Sequence, residues 1–205
     1  LQPHYGSIYI YSESESDYVD LISQFLSAHP LSNFVFELIH FRSDHLVNDL
    51  FIHFGLLEKP RQRMLFSIND DFTSVQLPSE LNFESINRNN LNHLASISTA
   101  AHRIRHSVEG YHDFFNLDDR IKMETILLDE LYNPYAHKSS FLMKCHNDYI
   151  GVCSAVVMDG WNSDKIVWIM DFSLLPQYQG YGYAKYFLNF IAEQTQASGY
   201  NQLGL

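Results

Sequence analysis

LLPQYQGYGYAKYFLNFI occupies residues 174–191. Ala184, Phe187, Leu188, Ile191 and Ala192 recur at helical spacing and form one apolar stripe. Residues 166–172, IVWIMDF, read as a strand. The stretch is therefore a strand, a glycine-bearing turn and an amphipathic helix. Gly180 and Gly182 let the backbone take positive φ and let a ligand approach without Cβ interference. The free N–H groups of a first helical turn, aided by the helix dipole, attract anions. Such a turn suits a pyrophosphate and needs no basic side chain. A lone G-x-G is also common in turns that bind nothing, so its surroundings decide. No G-x-x-x-x-G-K-[ST] occurs, and a G-x-G-x-x-G would need glycine where Lys185 stands.

Upstream, residues 141–145 and 149–157 read as strands joined by the turn His146-Asn147-Asp148. With 166–172 they make a three-strand meander. Before it come a short strand at 82–86, a helix from Asn90 carrying Leu91, Leu94, Ala95, Ile97, Ala101 and Ile104, and a second helix over 120–132. That second helix is capped by an aspartate and ended by Pro134. Gly199 stops the last helix, and 203–205 begin a further strand.

With 46% hydrophobic and 18% charged residues, the composition is that of a globular protein. No run approaches the ~18 apolar residues of a membrane span. The first residues lack the basic flank and apolar block of a signal peptide. Cys145 and Cys153, the two cysteines, read as reduced core thiols, which points to the cytoplasm. The net charge is −11, and both sides of Pro78 are acidic. Nucleic acid is thereby a poor partner, since its binding rests on Lys and Arg. A cationic small molecule or basic peptide suits the field better. His102 and His106 stand four apart, followed by Glu109 and His112. With no H-E-x-x-H present, solvated helix histidines are preferred over a metal site.

The meander, then Leu174-x-Pro176, then Gln179-Gly180-Tyr181-Gly182-Tyr183-Ala184, then an amphipathic helix, resembles the GNAT family of acetyl-CoA-dependent N-acetyltransferases. The family's signature is [QR]-x-x-G-x-[GA]. Gln179, Gly182 and Ala184 match it, and Gln177-x-x-Gly180-x-Gly182 offers a second register. Gly151 looks like the glycine common in the family's third strand. The resemblance spans about 81–205 and implies a mixed α/β sheet with the acyl-CoA N-acyltransferase fold.

The resemblance further implies that amides from Gln179 through Ala184 hold the pyrophosphate and that Phe172, Ser173 and Leu174 line the thioester. An amine would attack acetyl-CoA directly. Since a free alkylamine has a pKa near 10.4, something must take its proton. Asp171 is the candidate base or anchor for a cationic acceptor, and the N–H of Leu174 is the candidate oxyanion donor. Tyr111, His112 and Phe115 fall in the loop between the first two helices, where relatives bind the acceptor. The family's general-acid tyrosine is not matched by Tyr178, Tyr181, Tyr183 or Tyr186. A catalytically inactive acyl-CoA-binding or regulatory module is therefore the alternative to an N-acetyltransferase. No metal is expected.

Residues 7–68 resemble the latter half of a second such unit: strand 7–11, helix from about Tyr18 capped by Asp17, strand 34–39, helix 46–54 and strand 64–68. SESESD at 12–17 replaces the glycine turn with three carboxylates, which would repel a pyrophosphate. The expected division is a degenerate lobe at 1–77 and an acetyltransferase domain at 78–205. The first lobe, or a second copy in a homodimer, could complete the sheet. An unrelated α/β subdomain is the other reading of the lobe.

Overall fold

The structure is a computed structural model that describes residues 15–28, 49, 52–55, 64–68, 75–103, 114–160 and 164–205. It divides into two compact units, Leu1–Gln62 and Arg63–Leu205, so the second begins ahead of the expected boundary at residue 78. In the first unit, helix α1 (Glu15–Ala28) starts two residues before the expected cap Asp17 and buries Ile22 and Leu26, one turn apart. Gly55 has φ +73° and its N–H donates to the Ile52 carbonyl at 3.0 Å, where a helix stop was expected. The strands expected at 7–11 and 34–39 lie outside the described residues, as does most of the helix at 46–54.

The second unit is a six-stranded mixed sheet, ordered β1-β6-β5-β4-β3-β2. Its strands are β1 (Leu65–Ser67), β2 (Leu81–Ser85), β3 (Phe141–Cys145), β4 (Asp148–Asp159), β5 (Lys165–Leu174) and β6 (Gln202–Gly204). Only the β5–β6 pair is parallel. The meander β3-β4-β5 matches the sequence expectation. Its first hairpin is tighter than expected, because Cys145 pairs with Asp148 and leaves a two-residue turn with His146 at φ +54°.

Helices α2 (Leu91–Arg103) and α3 (Leu117–Leu128) cover one face, and α4 (Tyr183–Ala197) covers the other. The α4 stripe places Phe187 and Ile191, both fully buried, among Met143, Cys153, Val167, Ile169 and Leu174. On the opposite face Leu94, Ile97 and Leu127 pack on Leu142, Val152 and Val156. The second helix was expected over 120–132 behind an aspartate cap. It starts at Leu117 because Asn116 Oδ1 accepts from the N–H groups of Asp118 (2.9 Å) and Asp119 (3.3 Å). The two aspartates instead sit in the first turn, where the helix dipole favours them. It ends at Leu128, and Glu130 turns the chain at φ +57°.

Two irregularities in the pairing of β5 set the geometry of the site. Ser154 pairs with Asp171 and Ala155 with Ile169, so Met170 is an extra residue in β5. A bulge of one residue reverses which side chains face which side beyond it. Val167 and Ile169 face α4, and so do Phe172 and Leu174. Trp168 and Met170 face α2 and α3, and so do Asp171 and Ser173. Without the bulge Asp171 would enter the apolar α4 side.

The second irregularity is a divergence. β5 pairs with β6 only at Val167↔Leu203 and Trp168↔Gly204. A Cβ on Gly204 would fall inside the van der Waals envelope of the Trp168 ring. Gly204→Ala is therefore expected to destabilise the second unit by about 1–3 kcal/mol, the cost of overpacking. Thermal unfolding followed by tryptophan fluorescence checks this through a lowered midpoint.

Candidate active site

The turn after β5 is built so that its amides stay unclaimed. Gln179 Nε2 donates to the Leu174 carbonyl at 2.8 Å, which ties the turn back to the strand end. A short 3-10 turn, Pro176–Tyr178, follows Leu175. Gly180 and Gly182 have φ of +85° and +82°, and Gly182 is the N-cap of α4. Added Cβ atoms at either position would meet nothing within 4 Å. Among the described residues, no group accepts from the N–H of Gly180, Tyr181, Gly182, Tyr183 or Ala184. Four orphan amides are intrinsic to a helix start. Here no side chain caps them. Tyr181 is exposed and stacks at 6.0 Å on half-buried Tyr183, whose hydroxyl lies 4.0 Å from Cys145 Sγ. The turn is thus an open cradle of N–H dipoles, suited to an anion.

The edge of β5 beside it is also open. Leu175 N–H donates to the Ile150 carbonyl at 2.8 Å, making that a hydrogen-bonded pair of the antiparallel ladder. Paired residues alternate in such a ladder, so Leu174↔Gly151 and Phe172↔Cys153 are non-hydrogen-bonded pairs. The main-chain N–H groups of Phe172 and Leu174 therefore point away from β4, toward the side on which β6 has diverged. Among the described residues no strand pairs there beyond Trp168. Gly151 lets β4 lie close: a Cβ on it would come 2.6 Å from Leu174 Cδ2 and 3.3 Å from the Ser173 carbonyl.

On the α2/α3 face of the same strand lies a buried polar network. Asp171 Oδ1 is 3.2 Å from His102 Nε2 and accepts from Ser173 Oγ at 2.6 Å. Ser173 Oγ is also 3.0 Å from His102 Nε2. Arg120 on α3 faces Asp171 Oδ2 at 3.7 Å and pairs with Glu124 one turn on. Ser154 on β4 donates to Glu124 at 3.1 Å. The Phe114 ring lies 4.3 Å from both the His102 ring and the Arg120 guanidinium.

Burial opposes the charge of Asp171, but the His102 bond, Arg120 and Ser173 outweigh it. Its carboxyl is held below the usual aspartate range. Glu124 goes the other way: burial raises it, Asp171 adds to the rise, and Arg120 and Ser154 only partly offset it. Burial, with the nearby Asp171 and Glu124 charges, also pushes the Cys153 thiol well up, which keeps it unreactive.

Asp171, Ser173, Phe172, Leu174 and residues 179–184 thus come together around the end of β5. Phe115 is half-buried in the turn before α3. Tyr111 and His112 lie outside the described residues, as does His106. His102 is not the solvated helix histidine expected, since β5 holds its ring. Arg120 and Glu124 were not expected at the site; their four-residue spacing was the available signal. An open hollow of about 580 Å³, lined by Ser85, His137, Lys138, Gln194 and Ser198, lies at the far end of α4 and holds none of these groups.

The profile described as the acetyltransferase (GNAT) family matches residues 106–205. These residues form a GNAT acetyltransferase domain. Strands β3 to β6 of the mixed sheet lie within them, and the fold is that of the GNAT family. Solved structures are similar to parts of this chain. Naa50 of Arabidopsis thaliana, in complex with the bisubstrate analogue CoA-Ac-MVNAL, is 15% identical over 58% of this chain and 66% of its own, with a TM-score of 0.41. The aminoglycoside N-acetyltransferase AAC(6')-Iy in complex with CoA is 16% identical over 63% and 78%, at 0.47. A GNAT acetyltransferase of Brucella melitensis in complex with acetyl-CoA is 14% identical over 57% and 70%, at 0.43. This chain spans just under two thirds of the Arabidopsis protein. No curated protein matches the chain in sequence.

Proposed function

We propose that the domain moves an acetyl group from acetyl-CoA to a primary amine of a small molecule or peptide, by direct attack. The observation that carries this reading is the cradle of amides at 180–184, unclaimed among the described residues, set beside a strand edge whose N–H groups at Phe172 and Leu174 have no strand partner among them. When bound, the coenzyme would supply an activated thioester. The chain's part is to hold and orient it. The 180–184 amides would hold the pyrophosphate, the β5 edge would pair with the pantetheine arm, and the Leu174 N–H would donate to the thioester oxygen as negative charge gathers there. Dipoles supply this hold without cations, which fits a chain of net charge −11. The same charge draws an ammonium-bearing acceptor. Phe115, with Tyr111 and His112, is the proposed acceptor wall.

Among the described residues, no helix is long and apolar enough to cross a membrane. Two free, buried thiols suit a reducing compartment, and the cytoplasm is the proposed location. Residues 1–77 are proposed as a degenerate GNAT-like lobe ahead of a 78–205 catalytic domain, and a homodimer is the proposed route to sheet completion.

Calorimetry with CoA, followed by thiol release from acetyl-CoA across a panel of amines, tests the reading. The panel comprises a linear diamine, an aminoglycoside and a peptide with a free α-amine. Binding and release with at least one amine are expected. Binding with no release makes the domain an acyl-CoA-binding module. Absence of CoA binding removes the reading altogether.

A further inference from the structure

We infer that His102 is the proton acceptor for the attacking amine, through Nδ1, with Asp171 and Ser173 as positioning residues that fix its tautomer. This rests on the acyl-transfer reading above. The derivation is one of proton counting. Ser173 has a single hydroxyl proton, and the 2.6 Å contact to the Asp171 carboxylate claims it. Ser173 Oγ therefore turns a lone pair toward His102 Nε2 at 3.0 Å, and Asp171 Oδ1 presents another at 3.2 Å. Both neighbours of Nε2 are acceptors, so Nε2 carries the hydrogen. In the neutral ring the basic lone pair is then at Nδ1.

Among the described residues, the surrounding groups leave no better acceptor of a proton. Asp171 is 1% exposed in its side chain, with Oδ1 engaged by His102 and Ser173 and Oδ2 facing Arg120. An amine cannot reach it. Glu124, Arg120 and Ser154 lie deeper still, all nearly or wholly buried. The His102 side chain is 20% exposed, at the last turn of α2, and it sits on the face of β5 behind the Phe172–Leu174 edge. Phe114 packs against its ring and limits its rotation.

The step balances simply. The amine nitrogen forms a bond to the acyl carbon, the carbon–sulfur bond breaks with its electron pair on sulfur, and the nitrogen's proton passes to Nδ1. From there it goes to solvent or to the departing thiolate. The network also argues against Ser173 as a nucleophile. Its proton is on the path to Asp171, and the ring nitrogen facing it already bears a hydrogen. Transfer is therefore direct, with no acyl-serine.

Long-range 15N–1H correlation spectra of 15N-histidine-labelled protein read the tautomer directly, with His102 assigned by difference from His102→Gln. A protonated Nε2 and a bare Nδ1 are expected in the neutral ring, and a neutral ring with its hydrogen on Nδ1 overturns the inference. Asp171→Asn should scramble that ratio. On whichever amine of the panel is acetylated, His102→Gln should lose about 100-fold or more in kcat/KM. It should keep the CoA Kd and lose the acid limb of the pH profile. A variant within threefold of the wild type, or one with the same limb, overturns the role of His102 alone. CoA binding with no release by the wild type from any amine overturns the acyl-transfer reading and this role with it.

Discussion

Arg120→Met should unfold more easily than the wild type by about 3–5 kcal/mol near neutral pH, the cost of removing one partner from a buried charge cluster. Methionine fills similar volume and keeps the contact with Phe114. What it loses is the cation between two carboxylates that are themselves buried, Asp171 and Glu124. The pH dependence separates this from loss of packing. In the wild type, Asp171 titrates below its unfolded value, so it contributes stability above the unfolded pKa and loses it as pH falls through the folded one. Glu124 titrates above its unfolded value. Its contribution is present below that value and lost as pH rises through the folded one. Without Arg120 the attraction holding Asp171 down is weakened and the rise at Glu124 is unopposed. The folded variant then binds more protons than the unfolded chain, and its stability climbs as pH is lowered. Urea unfolding at pH 5.0 and 7.5 checks this, with Trp168 in β5 reporting on the second unit. A deficit equal at both pH values would mean that the guanidinium acts only as filler.

That cluster also marks where sequence reading stops. The meander, the glycine turn and the α4 stripe were legible because each rests on local chemistry: alternation, a φ that only glycine takes easily, and 3.6-residue spacing. Gly199 at φ +86° ends its helix as read. The Met170 bulge is not legible, since no residue type in WIMDFSL announces an extra residue in one strand. Yet it alone turns Asp171 and Ser173 toward α2 and α3. Arg120, Glu124 and His102 have the look of solvated helix positions, and charged side chains are rarely buried unless paired. Their pairing is made across three elements far apart in the chain, a property of packing and not of any window of sequence. The aspartate cap was misplaced for a smaller reason: Asn116 stands earlier and caps the helix through the N–H groups of Asp118 and Asp119 themselves, so both aspartates fall inside the first turn.

Gly182→Val should weaken CoA binding at least tenfold while leaving most of the unit folded. Gly182 sits at φ +82° with open space where a Cβ would go, so the obstacle is conformational before it is steric. A non-glycine residue pays about 1–2 kcal/mol to enter the left-handed region, and a β-branched one is a genuine outlier there. About 1.4 kcal/mol corresponds to a tenfold change in affinity. The variant can avoid that cost by relaxing the turn to negative φ. Doing so swings the N–H groups of Tyr183 and Ala184 away from a shared focus, since they follow the N-cap directly. Binding is lost by either route. Gly182→Asn is the informative partner, because asparagine visits positive φ more readily than other side chains. It should recover part of the affinity if backbone conformation is what matters, and none if any side chain blocks the ligand. Calorimetry with CoA at fixed ionic strength, with the unfolding midpoint measured beside it, gives both quantities. If Gly182→Val bound CoA within twofold of the wild type, the amides at the start of α4 would not be what grips the diphosphate. The −11 charge of the chain makes that a sharp result, since it leaves these dipoles little help from the surrounding field.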